Sequence, residues 1–401
     1  MKELELSVMG RNPQAVEELK QLLSVFENRH SLKVDLQVYP CETGRSELVK
    51  VAMYHHGLDV SEIGTTWLGD LIGMNSLRPF STTDLAVIGG CEPYVKTAWE
   101  RGRMLGDPRT WAVPWLLDAN AIYYRRDLLK TAGINESAAF QTPQQFEKTV
   151  QQLQASGVKV PLTLPLHHRR YLNVHNIASW IWAEGGDLLS QDGKRVLFNQ
   201  PEAHAGLHSY FSLYHYLVAE AFNAEDQGYE QLFREGVAAI TLGSTSQGFP
   251  AAIQSAEARN NMGAAVVLGA SFVGGSNLVV WKHTRYEEAA LALVSFLNSV
   301  EVQNRYCRNA HILPVRLESL AAEEIVNQPV LHSLAEIAAQ GRTFPCFFLW
   351  GLVEEKLDNA LSQIWISLME EPSADLDEVI RKNIDPLAAR LNVTLGQGGQ
   401  R

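Results

Sequence analysis

Tryptophan is the residue type whose placement in this chain points to chemistry. Trp67 follows the segment DVSEIGTT, Trp111 and Trp115 flank Pro114, Trp180 and Trp182 precede Gly185-Gly186, and Trp350 opens the last helical region. Several of these stand at loops and strand ends and not on periodic apolar stripes. A large flat ring with a polar N–H tip suits a wet cleft. The apolar C–H faces of a sugar would stack on such rings while its hydroxyls take hydrogen bonds. Core packing is the competing reading for each ring, most strongly for Trp182 inside its helix. Asp118 stands in the apolar run WAVPWLLDANAIYY (111–124), where an unpaired charge is costly. It either accepts from a polar ligand or caps a neighbouring turn.

Other chemistry has little local support. There is no GxGxxG, Walker A, GxSxG or HExxH pattern, so dinucleotide, P-loop and hydrolase readings lack a motif. His204 and His208 lie four apart on an expected helix but have no evident third ligand, so a packed or solvated face is expected and no metal or cofactor. His55-His56 and His167-His168 read as surface pairs. The 45 Asp and Glu residues single out no catalytic pair. Cys41, Cys91, Cys307 and Cys346 form no CxxC; free thiols are expected, with bridges 41–91 and 307–346 left open. A net charge of −11 argues against nucleic acid, which needs a clustered positive surface, and disfavours anionic membranes.

The elements that must position these groups follow from periodicity. At 401 residues two domains are expected. Leu4–Met9 alternates like a strand, Pro13–Arg29 carries an apolar helical face with Asn12 as N-cap, and Leu32–Val38 alternates again. A helix from about Arg45 to His56, capped by Thr43, and a strand near Leu58–Ile63 complete a βαβαβ order, which implies a parallel sheet. Pro114 and Pro314 mark rigid passages between units. After the first come a strand at Ala121–Tyr124, helices at Arg126–Ala132 and Pro143–Ala155 (capped by Thr142), a strand at Val158–Leu164, and helices at Val174–Ala183 and Pro201–Ala221. Strands at Ala238–Leu242, Ala264–Leu268 and Asn277–Trp281 and a helix at Tyr286–Asn298 follow. The rest is almost all helix to about Leu395, with Gly396–Arg401 as a polar tail. Met1–Gly10 reads as a strand and not as a leader, so the chain is either cytoplasmic or trimmed.

Over nearly its whole length the chain resembles the family 1 extracellular solute-binding proteins of carbohydrate ABC transporters, the group that includes maltose-binding proteins. The resemblance rests on LDVSEIGTTWLGDLIGMNSLRPF (58–80), WAVPWLLDANAIYYRRDLLKTAG (111–133), WIWAEGGDLLSQDGKRVLFNQPEA (180–203), LFREGVAAITLGS (232–244), FVGGSNLVVWKHTRYEEAALALVSFLNSVEVQNRY (272–306) and ILPVRLESL (312–320), in that order. It implies an α/β, two-lobed type II periplasmic-binding-protein fold, each lobe a mixed sheet flanked by helices. One lobe would comprise 1–112 and 262–313, the other 117–261 and 317–401, with crossings near 113–118, 258–264 and 312–317. By position, Trp67 matches an aromatic after the third strand, Asp70 a polar contact on the next helix, and Asp118 the residue past the first crossing. Gly275, Ser276 and Asn277 match a ligand-facing loop of the first lobe, and Trp350 a late aromatic of the second lobe. Trp115 and Arg316 complete the expected binding set. GSTSQG (243–248) stands where many relatives carry a Trp, and LGAS (268–271) shortens a proline-containing stretch.

The expected function is therefore capture of a mono- or oligosaccharide by stacking, hydrogen bonds and hinge closure, for delivery to permease subunits. The expected protein is a non-enzymatic monomer, extracytoplasmic if a leader has been trimmed. The alternatives are a two-domain sugar-acting enzyme such as a glycosidase, and a cytoplasmic sugar-sensing domain of the same fold.

Overall fold

The computed structural model describes residues 3–164, 173–218, 228–247 and 260–398. His167 and His168, and residues 258–259 of the expected second crossing, lie outside them. Asn12 caps the first helix by accepting from the Ala15 N–H, and Pro13 opens it where no donor is needed. This helix, Pro13–His30, links β1 (Glu3–Gly10) to β2 (Lys33–Pro40). The two strands run parallel in register from Glu3↔Lys33 to Gly10↔Pro40, and β3 (Val60–Gly64) lies parallel on the other side of β1. The helix expected from Arg45 starts earlier, at Cys41, with Pro40 and not Thr43 before its first turn. Pro fixes φ and needs no N–H there.

Within the first compact unit, β4 (Leu77–Arg78) lies antiparallel on the long strand Val273–Trp281, and β3 pairs with the same strand from Val60↔Val280 to Gly64↔Ser276. The parallel order of β2, β1 and β3 thus continues as a mixed sheet. The passage at Pro114 is a single 13-residue strand, β5 (Val113–Arg125), buried almost throughout. Its second half carries the sheet of the second unit. There, β6 (Val160–Thr163) is parallel to β7 (Ala238–Ser244), β7 is antiparallel to β5, and β8 (Met262–Ala265) is antiparallel to β5 as well. Numbering then continues with β9 (Val273–Trp281) and β10 (Leu313–Pro314), the latter on the first half of β5.

The first unit comprises Met1–Asp118, Val273–Asn327 and Thr343–Gly351, and the second Ala119–Phe272, Gln328–Arg342 and Leu352–Arg401. The chain therefore changes unit inside β5, at Asp118–Ala119. Residues 262–272 belong to the second unit and not the first, because β8 forms its ladder with Tyr124 and its neighbours. The third crossing falls at 327–328 and not near Pro314, since β10 holds that segment on β5. Residues 343–351 return to the first unit, where the Phe347 carbonyl packs on the Cα of Gly69. This moves Trp350 out of the unit to which position assigned it. Residues 396–398 of the expected polar tail instead continue the helix Leu376–Gly398, and the rest of it lies outside the described residues.

None of the four cysteines forms a disulfide; Cys307 is buried, while Cys41 and Cys91 are exposed. His204 and His208 share one neighbour, Asp377, at 3.8 and 3.9 Å. Among the described residues, no helix is long and apolar enough to cross a membrane.

Candidate functional site

In the first unit the parallel strands β1, β2 and β3 end together at Gly10, Pro40 and Gly64. The space beyond the carboxyl ends of such strands is where open α/β sheets hold ligands. A short turn, Thr65–Trp67, leaves β3 and folds the Trp67 indole back over the strand end. Gly64 makes this fit: a Cβ there would lie 2.9–3.1 Å from the ring. The far edge of the indole reaches Gly44, on the helix Cys41–Tyr54, at 3.7 Å from where its Cβ would stand. Trp67 remains partly exposed.

Directly across the ladder from Gly64 stands Ser276. Opposite residues of an antiparallel pair send their side chains to one face, so the Ser276 hydroxyl lies on the indole's side of the sheet. It is 4% exposed, and its Oγ has no hydrogen-bond partner among the described residues. Gly275 adopts φ +126°, and its Cα presses on the Leu116 carbonyl and the Asp118 N–H. Asp118, Gly275, Ser276 and Trp67 thus follow one another along this end of the unit. Asp118 is half-buried.

Asp70, one turn after Trp67, pairs with Arg45, both side chains remaining partly exposed. Gly351 leaves room for this pair, since a Cβ there would run into both. On β3 itself, Glu62 is fully buried and paired with Arg11, and it also accepts from the Met9 N–H at 2.8 Å. Burial pulls the Arg11 pKa down, but Glu62 and Tyr306 outweigh it and hold the guanidinium above its ordinary value.

Four expected ligand residues do not join this face. Trp115 is fully buried, stacked on Tyr306 at 5.0 Å and 12°, with its Nε1 donating to the Leu297 carbonyl at 3.3 Å. It is core. Trp350 is 2% exposed and lies against Phe344 and Phe347, at 4.5 and 5.8 Å between ring centroids. Arg316 donates to the Asn298 carbonyl and covers the Tyr94 ring at 5.4 Å, a structural clamp; burial there pushes the Tyr94 phenol up to about 12. Asn277 is fully buried opposite Ile63. Successive strand residues face opposite ways, so it lies on the buried Ile63 face and not on that of Ser276, with neither amide atom hydrogen-bonded within the described residues.

The second unit carries a polar cluster that the sequence did not single out. Asn120 pairs across the ladder with Ser244, at the carboxyl end of β7, and its amide donates to Asn176 at 3.0 Å. The Thr245 hydroxyl accepts from the Ala119 N–H at 3.1 Å. On the helix Asn173–Ala183, His175 bonds Glu354 at 2.8 Å and stacks on Phe272 at 4.3 Å. One turn beyond Glu354, Asp358 accepts from the Asn173 N–H at 2.9 Å. Burial pushes the Asp358 carboxyl up to about 7, against the lowering effect of that bond and of His175. The available signal was weak: Glu354 and Asp358 are spaced i, i+4 on one helix, but nothing local marked His175 as their neighbour.

Comparison with known proteins agrees with this architecture. A match to the family described as bacterial extracellular solute-binding protein covers residues 21–332. The diacetylchitobiose binding protein DasA of Streptomyces coelicolor is 21% identical over 347 residues, covering 82% of this chain and 76% of its own. Maltose-bound T. maritima MalE3 superposes with a TM-score of 0.81 at 22% identity, covering 98% of this chain and 100% of its own. The sugar-binding protein MalE of Xanthomonas citri gives 0.82 at 21%, covering 99% and 98%. At these identities the structural likeness establishes the fold, and the match over residues 21–332 establishes descent. The chain belongs to the bacterial extracellular solute-binding protein family.

Proposed function

We propose that this protein binds a mono- or oligosaccharide and presents it to the membrane permease of an ABC transporter, outside the cytoplasm and without turnover. The observation that carries this reading is that Trp67 and Ser276 both meet Gly64, one by its ring and the other across the ladder. A half-exposed indole lies beside a buried hydroxyl that has no partner among the described residues. An apolar face next to an unsatisfied hydrogen-bonding group is the complement of a sugar ring with its hydroxyls. Asp70 and Asp118 flank this pair as acceptors, with Arg45 as a donor beside Asp70. Relatives named for maltose and for diacetylchitobiose support the same substrate class.

A thermal-shift screen against a carbohydrate panel tests the reading. A ligand at 100 times its Kd adds about 2.7 kcal/mol, so a true ligand raises Tm measurably. A panel in which every sugar leaves Tm unchanged while a peptide, polyamine or metal ion raises it would reject the substrate class.

A further inference from the structure

We infer that Arg101 is a positioning residue that sets the pose of the Trp67 ring, an inference that rests on the reading of Trp67 as the ligand platform. Arg101 follows the short helix Lys96–Glu100 and is 5% exposed. Its backbone is pinned through the next residue: the Gly102 carbonyl accepts from the N–H groups of both Trp111 and Ala112, at 2.7 and 3.2 Å, and the Gly102 Cα abuts the Ala112 carbonyl. From this fixed base the side chain reaches two separate elements of the first unit. One guanidinium nitrogen donates to the Thr65 hydroxyl at 2.8 Å, and the other to the Val273 carbonyl.

Each contact point has a structural meaning. Thr65 opens the turn that ends at Trp67, and is itself buried. Val273 is the residue at which the chain re-enters the first unit and begins β9. The strand entering at Val273 delivers Ser276 three residues later, opposite Gly64. Arg101 therefore ties the start of the strand that carries the buried hydroxyl to the start of the turn that carries the indole. A guanidinium donates in fixed, coplanar directions, so it constrains both anchor points at once. A lysine ammonium, a point charge on a flexible stem, would not.

The test reads Trp67 directly and needs no ligand, so it remains decisive even if the sugar reading fails. Labelling with 5-fluorotryptophan gives one 19F line per indole, and Trp67→Phe identifies the Trp67 line. In Arg101→Met that line should move and its solvent isotope shift should rise, while the lines of the fully buried Trp115 and Trp281 stay in place. Arg101→Lys should not restore the wild-type line. Thr65→Val, which deletes only the acceptor, should raise the isotope shift in the same sense and provides the measurement if Arg101→Met does not fold. Combining Thr65→Val with Arg101→Met should add nothing further. An unchanged Trp67 line in the folded variants would overturn the inference, as would equal movement of all three lines or full rescue by lysine.

Discussion

The Trp67 indole occupies the place where a side chain on Gly64 would stand, and Ser276 faces Gly64 across the ladder between β3 and β9. This single relationship makes the end of β3 an aromatic floor beside a buried hydroxyl. It depends on glycine for want of a Cβ and not for backbone freedom, since Gly64 has φ −62° and ψ 142°, open to any residue.

Gly64→Ala should therefore fold, but tilt the indole. Because 2.9–3.1 Å is too close for a methyl group and an aromatic ring, sugar affinity should fall about tenfold, equivalent to about 1.4 kcal/mol. Calorimetric titration with the best sugar from the panel, alongside Tm, separates this from unfolding. Unchanged affinity would mean that the ring's pose does not matter.

Trp67→Ala and Trp115→Ala should behave in opposite ways. Loss of the buried Trp115, with its stacking on Tyr306 and its bond to Leu297, should cost about 3–5 kcal/mol of stability by urea denaturation. Loss of Trp67 should weaken ligand binding markedly with a smaller loss of stability. The reverse ranking would reassign the two rings.

Gly275→Ala should be destabilising for two reasons at once. The position has φ +126°, and its Cβ would collide with the Leu116 carbonyl at the strand that leads to Asp118. A loss of at least about 2 kcal/mol is expected. A Tm equal to the wild type would show that β9 can withdraw from β5 there.

Asp358 should give the protein a pH-dependent stability of unusual sign. Its folded-state pKa is raised to about 7 by burial, from 3.8. The native state thus keeps this proton where the unfolded chain has lost it, and the group's contribution to stability is lost as pH rises from about 4 through about 7. The groups facing it are His175 and Glu354, with the buried Tyr210 nearby. Asp358→Asn removes the titration, so the Tm difference between variant and wild type should move in the variant's favour across that window. A constant difference from pH 4 to 8 would show that Asp358 is not the titrating group.

Much of the framework was legible locally. The βαβαβ order, the Asn12 and Thr142 caps, and the helices beginning at Pro13 and Pro143 follow from periodicity and end chemistry that neighbouring residues decide among themselves. The position of Trp67 after β3 and of Gly275-Ser276 near a strand start was legible too, through the resemblance. What the tertiary structure alone decided was which tryptophan faces outward. A local turn lays Trp67 over Gly64, three residues earlier, whereas only long-range packing stacks Tyr306 on Trp115 and buries it. The same holds for Asn277, whose face is set by its ladder partner Ile63, and for Trp350, drawn into the first unit beside Phe344 and Phe347. His175 and Glu354 meet across 179 residues. Spacing along a chain determines which elements form and which residues share a face within each. Which faces then meet depends on pairings between distant segments, and in this protein those pairings separate the partly exposed Trp67 from the buried Trp115 and Trp350.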